Sequence, residues 1–216
     1  MTQLLDNGPV DAPARVVLAP GAGAPMTSSF METFARLLAE CGIAVTRFEF
    51  GYMAEHRTGG KGPPPPKAEL LMPEYLEVVE SVAAAMTHGQ RLLIGGKSMG
   101  GRVASLIADD LYRVGRAKGL VCLGYPFHPP QKPAELRTAH LAALACPTLI
   151  VQGERDPFGS RAEVDGFTLS SAIRFHWAAD GDHDLGPRAG RGHTRRGNLE
   201  AAANAVAEFA RSLPHA

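Results

Sequence analysis

Arg91-Leu-Leu-Ile-Gly-Gly-Lys-Ser-Met-Gly-Gly-Arg102 decides the fold. Its first half, Arg91 to Gly95, is a short apolar run with the length of a buried strand, and its second half opens a small-residue helix from about Gly100 to Arg113. Ser98 stands at the corner, inside Gly96-Lys-Ser-Met-Gly100, a G-x-S-x-G pattern. The pattern is steric in origin: a nucleophile on a strained strand-to-helix turn needs neighbours without side chains so that the backbone can fold tightly. The turn also sets the Met99 N–H at a helix start, where free amides and the helix dipole favour an oxyanion. Gly96-Lys97-Ser98 also resembles the tail of a phosphate loop, but that motif needs glycine where Arg91 stands, within the strand. The plain alternative is a glycine-rich turn with a buried serine, so the flanking chain must decide.

Outward from this corner, strands and helices alternate. Residues 1–14 read as an irregular lead-in with room for a short edge strand, and residues 15–216 as a single domain. Arg15 to Ala19 is the first apolar strand and ends in Pro20-Gly-Ala-Gly-Ala24, a small-residue loop whose amides can approach a ligand closely. Gly21-Ala-Gly23 begins a dinucleotide fingerprint, but Met26 occupies the third glycine position. Thr27 or Ser28 caps a helix to about Glu40 with Phe30, Phe34, Leu37 and Leu38 on one face. A strand follows over 43–50, then a long proline- and glycine-rich loop over 51–72, and a helix from Pro73 to Thr87 with Leu76, Val79, Val82, Ala83 and Met86 inward. Beyond the Ser98 corner come strands at Lys118–Gly124, Pro147–Gln152 and Ala172–Trp177, and a closing helix from Asn198 to Leu213. Alternation of this kind predicts an α/β fold, a mostly parallel sheet of about six strands with helices on both faces. Ligands bind such sheets beyond the carboxyl ends of the strands.

Each chemically capable residue falls at such an end: the 20–24 loop, Ser98, Asp156 in Gly153-Glu-Arg-Asp-Pro-Phe-Gly159, and His183 in Asp180-Gly-Asp-His-Asp184. A serine hydroxyl needs a base in reach, itself oriented by a carboxylate. Of eight histidines, His183 and His193 lie between the last strand and the last helix, and of these two it is His183 that stands near the strand end. Asp156 precedes Pro157 and so also suits a simple turn; Asp165 and Glu154 are weaker substitutes for the orienting role. The Asp180, Asp182 and Asp184 spacing suggests a calcium loop, yet Leu185 and Arg191 occupy the positions that require glycine and a bidentate glutamate. A carboxylate-rich turn around His183 is the simpler reading. Arg188, Arg191, Arg195 and Arg196 either pair with these aspartates or, with Arg57 or Lys61, receive an anionic substrate group.

The four motifs Pro20-Gly-Ala-Gly-Ala24, Gly95-Gly-Lys-Ser-Met-Gly-Gly101, Gly153-Glu-Arg-Asp-Pro-Phe-Gly159 and Gly181-Asp-His-Asp-Leu185 resemble those of the small, lidless α/β-hydrolases of dienelactone-hydrolase-like type, over residues 15–212. The resemblance implies the α/β-hydrolase fold, with Ser98 as nucleophile, His183 as general base and acid, Asp156 as its orienting carboxylate, and the amides of Ala22 and Met99 as an oxyanion hole. Many relatives carry His where Pro20 stands here. Gly23, Lys97 and Phe158 within these motifs, and Tyr125 in the proline- and aromatic-rich loop Tyr125-Pro-Phe-His-Pro-Pro130 after the Lys118–Gly124 strand, are the candidate substrate-contacting residues.

Composition narrows the remaining classes. The 216 residues carry 22 Lys plus Arg against 22 Asp plus Glu, so no net field draws the chain to nucleic acid or an anionic membrane. The N-terminus has neither a basic nor an apolar signal region, and a cytoplasmic protein is the expectation. Cys41, Cys122 and Cys146 are too few and too scattered for a disulfide framework or zinc site, and nothing calls for a metal or cofactor. The expected activity is a serine hydrolase cleaving a small or medium ester or thioester through an acyl-enzyme. The competing class is a non-catalytic binding or scaffolding protein that keeps the fold.

Overall fold

The computed structural model describes residues 2–53 and 64–214. Seven strands form one sheet: β1 (Leu5–Asn7), β2 (Ala14–Ala19), β3 (Ala44–Arg47), β4 (Arg91–Lys97), β5 (Gly119–Leu123), β6 (Thr148–Gly153) and β7 (Ile173–Ala178), in the spatial order β1-β3-β2-β4-β5-β6-β7. β1 runs antiparallel to β3 and every other pairing is parallel. The helices are α1 (Ser29–Glu40), α2 (Met72–Ala85), α3 (Met99–Arg113), the short α4 (Arg161–Val164) and α5 (Arg195–Ser212).

Period-two alternation along the central strands divides the core into two layers. Val16 and Leu18 of β2, Leu93 of β4, Val121 of β5 and Val151 of β6 pack under α1 and α5. Val17, Ile94, Leu120, Cys122 and Ile150 point the other way, beneath α2 and α3. Such two-sided burial requires the near-continuous apolar runs seen in the sequence.

The departures from expectation have local causes. A seventh strand exists because the lead-in supplies β1, whose Asp6 accepts bonds from Arg15 and Thr46. β3 is shorter than 43–50, because its ladder stops at Arg47 and the chain turns so that Phe48 and Phe50 can enter the α2–α3 core. α2 starts at Met72, with Pro73 in its first turn, and its inward face is rotated toward Tyr75, Val78, Val79 and Val82. Tyr75 is fully buried because its hydroxyl accepts from Gly95 N and its single hydrogen is shared between Gly95 O and Val17 O, at 2.7 and 3.0 Å. α5 begins three residues before Asn198, where the Thr194 hydroxyl caps Gly197 N at 3.0 Å. Cys122 and Cys146 are buried free thiols, both pushed up by burial, while Cys41 is half-buried.

Candidate active site

Ser98 joins β4 to α3 with φ 50° and ψ −115°, a strained conformation for a side-chain-bearing residue. Its N–H donates to Leu123 O on β5 at 2.9 Å, and its own carbonyl accepts the first bond of α3 from Arg102 N at 3.0 Å. Two glycines let the neighbouring backbone close in. A Cβ on Gly100 would lie 2.4 Å from Ala19 O and 2.6 Å from Pro20 O, and one on Gly96 would lie 2.5 Å from Ala19 O. The end of β2 and the 20–24 loop therefore press directly onto the elbow. Met99 N leads the helix with no backbone acceptor among the described residues, as the physics of a helix start requires.

The 20–24 loop is fastened from behind by the chain leaving β3. Arg47 donates to Met26 O at 2.7 Å, Glu49 accepts from Met26 N at 3.1 Å, and the Tyr52 hydroxyl donates to Ala22 O at 3.2 Å. Burial, aided by the charge of Glu74, pushes the Tyr52 hydroxyl up to about 12, which keeps it a donor. With its carbonyl turned to Tyr52, Ala22 has an amide with no backbone acceptor among the described residues. Gly21 lies against Ser98, within 3.5 Å of its Cβ by the position a Gly21 Cβ would take.

Across the sheet ends, Asp156 is fully buried just past β6. His183 Nδ1 approaches its Oδ2 at 2.8 Å, Gln152 Nε2 donates to the same oxygen at 2.9 Å, and Phe158 N donates to Oδ1 at 2.9 Å. A carboxylate accepts at Nδ1 only from an N–H, so in the neutral ring the lone pair falls on Nε2, which has no hydrogen-bond partner among the described residues. Gln152 is fully buried and also bridges Tyr125 N, Tyr125 O and Gly159 O. The Phe158 ring covers the imidazole with centroids 4.3 Å apart.

The loop carrying His183 is held on three sides. The Asp182 carboxylate accepts from the amides of Asp184 and Gly186, and Asn198 of α5 donates to Ala179 O and Leu185 O. Gly153 and Gly124 let the loop settle onto β6 and β5: their Cβ atoms would come within 2.2 Å of Asp182 O and 2.9 Å of His183 O. Asp180 is held well below the usual carboxylate range, first by the hydrogen bond from Arg188.

Ser98 and His183 line one cavity of about 780 Å³ together with Ala22, Gly23, Met99 and Phe158. No hydrogen bond joins Ser98 Oγ to His183 among the described residues; the two line the same cavity, and contacts of this kind are often long or poorly aligned before a ligand binds. Lys97 also lines it, its side chain only 8% exposed, with Nζ 3.3 Å from Asp184 and over the Phe30 ring. Burial holds this ammonium below its ordinary value, against the opposing pull of Asp184 and Asp156.

Tyr125 is a correction. It is not on the cavity wall: its ring is fully buried, its amide is bound to Gln152 and its hydroxyl to Arg137 O. Within the basic stretch, Arg188 pairs with Asp180, Arg196 with Glu200 and Arg195 with Asp184 at 3.7 Å, and of the four only Arg195 reaches the cavity. Arg57 and Lys61 lie outside the described residues. Gln152, Asn198, Arg47, Glu49 and Tyr52 escaped the sequence reading. A signal existed for Gln152, the polar end of an otherwise apolar strand, and for Arg47 and Glu49, which alternate with Phe48 and Phe50. Among the described residues no cluster of metal-ligating side chains occurs, and no helix is long and apolar enough to cross a membrane.

A family model described as "Alpha/beta hydrolase domain" matches residues 12–211. Among solved structures, the chain is similar to an α/β serine hydrolase homologue from Coxiella burnetii at 20% identity, covering 99% of this chain and 91% of that one, with a TM-score of 0.67. It is similar to an α/β serine hydrolase without lid from Xanthomonas campestris at 20% identity, covering 99% and 95%, TM-score 0.64. A dienelactone hydrolase from Anabaena variabilis matches at 22% identity over 95% and 90%, TM-score 0.65. These likenesses establish the fold.

Proposed function

Because the chain belongs to the alpha/beta hydrolase family, we propose that it is a serine hydrolase cleaving a small or medium ester or thioester through an acyl-enzyme. The observation that carries this reading is the His183–Asp156 bond of 2.8 Å behind a cavity whose wall holds both His183 and Ser98. Asp156 fixes the imidazole with hydrogen on Nδ1, so Nε2 takes the Ser98 proton as Oγ attacks the substrate carbonyl. The amides of Met99 and Ala22 receive the developing oxyanion. His183 then returns the proton to the departing alcohol or thiol, leaving an ester on Ser98. A water deprotonated by His183 attacks that ester, and collapse of the second tetrahedral intermediate frees the acid and restores Ser98.

An open cavity at these side chains, rather than a filled one, also weighs against a purely scaffolding role. The test is hydrolysis of p-nitrophenyl acetate and butyrate by the native protein, Ser98→Ala and Asp156→Asn. Ser98→Ala falls to the buffer rate. Asp156→Asn keeps the fold but presents an amide that can favour the wrong imidazole tautomer, lowering kcat by roughly 10³–10⁴-fold. Turnover by Ser98→Ala equal to native would overturn the proposal.

A further inference from the structure

Arg102 and Arg137 make part of the active-site cavity wall cationic, but the wall that continues from His183 is built differently. Asp184, the next residue, holds Arg195 at 3.7 Å. Arg195, Ser29 and Phe30 line two cavities at once: the one that holds Ser98, and a second of about 480 Å³ between α1 and the start of α5. The two cavities therefore adjoin, and the shared wall begins one residue from the imidazole.

The second cavity is an apolar cleft whose charges are already matched. Phe30, Thr33 and Leu37 recur at helical spacing on one face of α1, and Leu199 of α5 joins them in its lining. Phe30, Leu37 and Leu199 belong to the core layer under the two helices and make its floor. At the rim Arg36 pairs with Glu40, Arg196 with Glu200 at 2.7 Å, and Arg195 with Asp184, so each charged lining residue has a partner of opposite sign. Such a site favours a neutral aliphatic group over an ion. From Phe30 to Leu37 the helix rises about 10 Å, the span of roughly eight carbons in an extended chain.

Which part of a substrate lies there follows from the proton transfer. The departing oxygen or sulfur must come within hydrogen-bond reach of His183 to take its proton, and the wall on that side, Asp184 and then Arg195, leads into the cleft. We propose that the cleft between α1 and α5 binds the alcohol or thiol part of the substrate, a neutral alkyl chain of up to roughly eight carbons. The assignment rests on the hydrolase reading, and its test separates the two.

The probes are methyl, butyl, hexyl and octyl butyrate, which share one acyl group, with p-nitrophenyl acetate as the short control and 1-octanol as a ligand that cannot react. The parameter is kcat/KM, which reports acylation, the step in which the alcohol is still bound. In the native protein it rises by roughly twofold per added methylene up to octyl, where complete burial would give about fourfold, because one side of the cleft is open to water. Thr33 is half-buried and lines the cleft but not the Ser98 cavity, so Thr33→Trp fills the cleft from the helix surface. That variant hydrolyses p-nitrophenyl acetate at the native rate, loses the rise with alcohol length, and keeps the native trend along methyl butyrate, hexanoate and octanoate. A flat alcohol series in the native protein, a rise that survives in Thr33→Trp, or loss of the acyl trend in its place would overturn the assignment and leave the hydrolase reading intact. No ester turned over, with 1-octanol bound by the native protein in saturation-transfer NMR and not by Thr33→Trp, would support the cleft and count against hydrolysis. A dimer in light scattering that Thr33→Trp abolishes, without any alcohol-length effect, would give the cleft to a second copy of the chain and refute the proposal. The native alcohol series needs no variant, so a misfolded Thr33→Trp does not remove the test.

Discussion

Replacing Gln152 with leucine removes a fully buried amide of nearly the same volume, so packing changes little and hydrogen bonding carries the cost. Its Oε1 accepts from Tyr125 N at 2.7 Å, and its Nε2 serves Asp156 Oδ2, Tyr125 O and Gly159 O at 2.9 to 3.1 Å. Two hydrogens on Nε2 cannot fully satisfy three acceptors, so the side chain supplies about three bonds' worth. At about 1 kcal/mol net each, Gln152→Leu loses about 3 kcal/mol, approaching about 5 kcal/mol where Tyr125 N and the freed carbonyls stay dry. Urea unfolding followed by circular dichroism measures the change in midpoint at constant slope. Gln152→Glu sharpens the test, because it keeps the acceptor for Tyr125 N but aims a second carboxylate at Asp156. That glutamate is held protonated in the fold, its value raised, so its contribution is intact below the unfolded glutamate value of about 4.3 and is lost as pH rises. A loss under about 1 kcal/mol for Gln152→Leu, or a Gln152→Glu protein whose stability relative to native does not fall with rising pH, would refute the account of this hub.

Two further substitutions probe the walls of the site. Gly100→Ala drives a methyl to within 2.4 Å of Ala19 O, where backbone lies on both sides and neither can turn aside, so it costs about 1–3 kcal/mol in urea unfolding and lowers kcat by displacing the 20–24 loop from the elbow. Lys97→Met removes a buried ammonium whose dominant influence is burial and leaves Asp184, 54% exposed, in contact with water; its stability at pH 7 equals the native value or exceeds it by up to about 2 kcal/mol. The sign of the pH effect follows from the lowered folded value: the unfolded chain binds the extra proton, so native stability gains as pH climbs from that value toward the ordinary 10.5, and the gain is absent from Lys97→Met. A difference curve between the two proteins that is flat or reversed in this window would contradict the burial argument.

Much of the fold was readable because its signals are local. The apolar runs of β2, β4, β5 and β6 are buried on both faces, and chains of that kind leave no polar alternation to misread. Ser98, Asp156 and His183 stood out because each follows a strand, and a parallel sheet brings such ends to one rim. What could not be read depends on distant partners. Tyr125 looked like a pocket residue from its place in a Pro- and aromatic-rich loop, but Gln152, 27 positions away, draws its backbone inward. The inward face of α2 turned to Tyr75 because a hydroxyl that is costly in a core becomes welcome once Gly95 accepts it, a fact of pairing between two elements. β1 was too short to show a pattern, and its existence depends on Thr46 and Arg15 meeting Asp6. The cationic character of the cavity was likewise hidden: the arginines clustered in sequence pair mainly with nearby acids, whereas Arg102 and Arg137, 35 positions apart, converge on the cavity wall.

The most direct measurement is covalent: incubation with a fluorophosphonate, followed by intact mass and peptide mapping. The account predicts one adduct per chain, on the peptide containing Ser98, with none on Ser98→Ala and a much slower reaction for His183→Gln. An unmodified native protein under conditions that label a control esterase, or an adduct on any other serine, would contradict it.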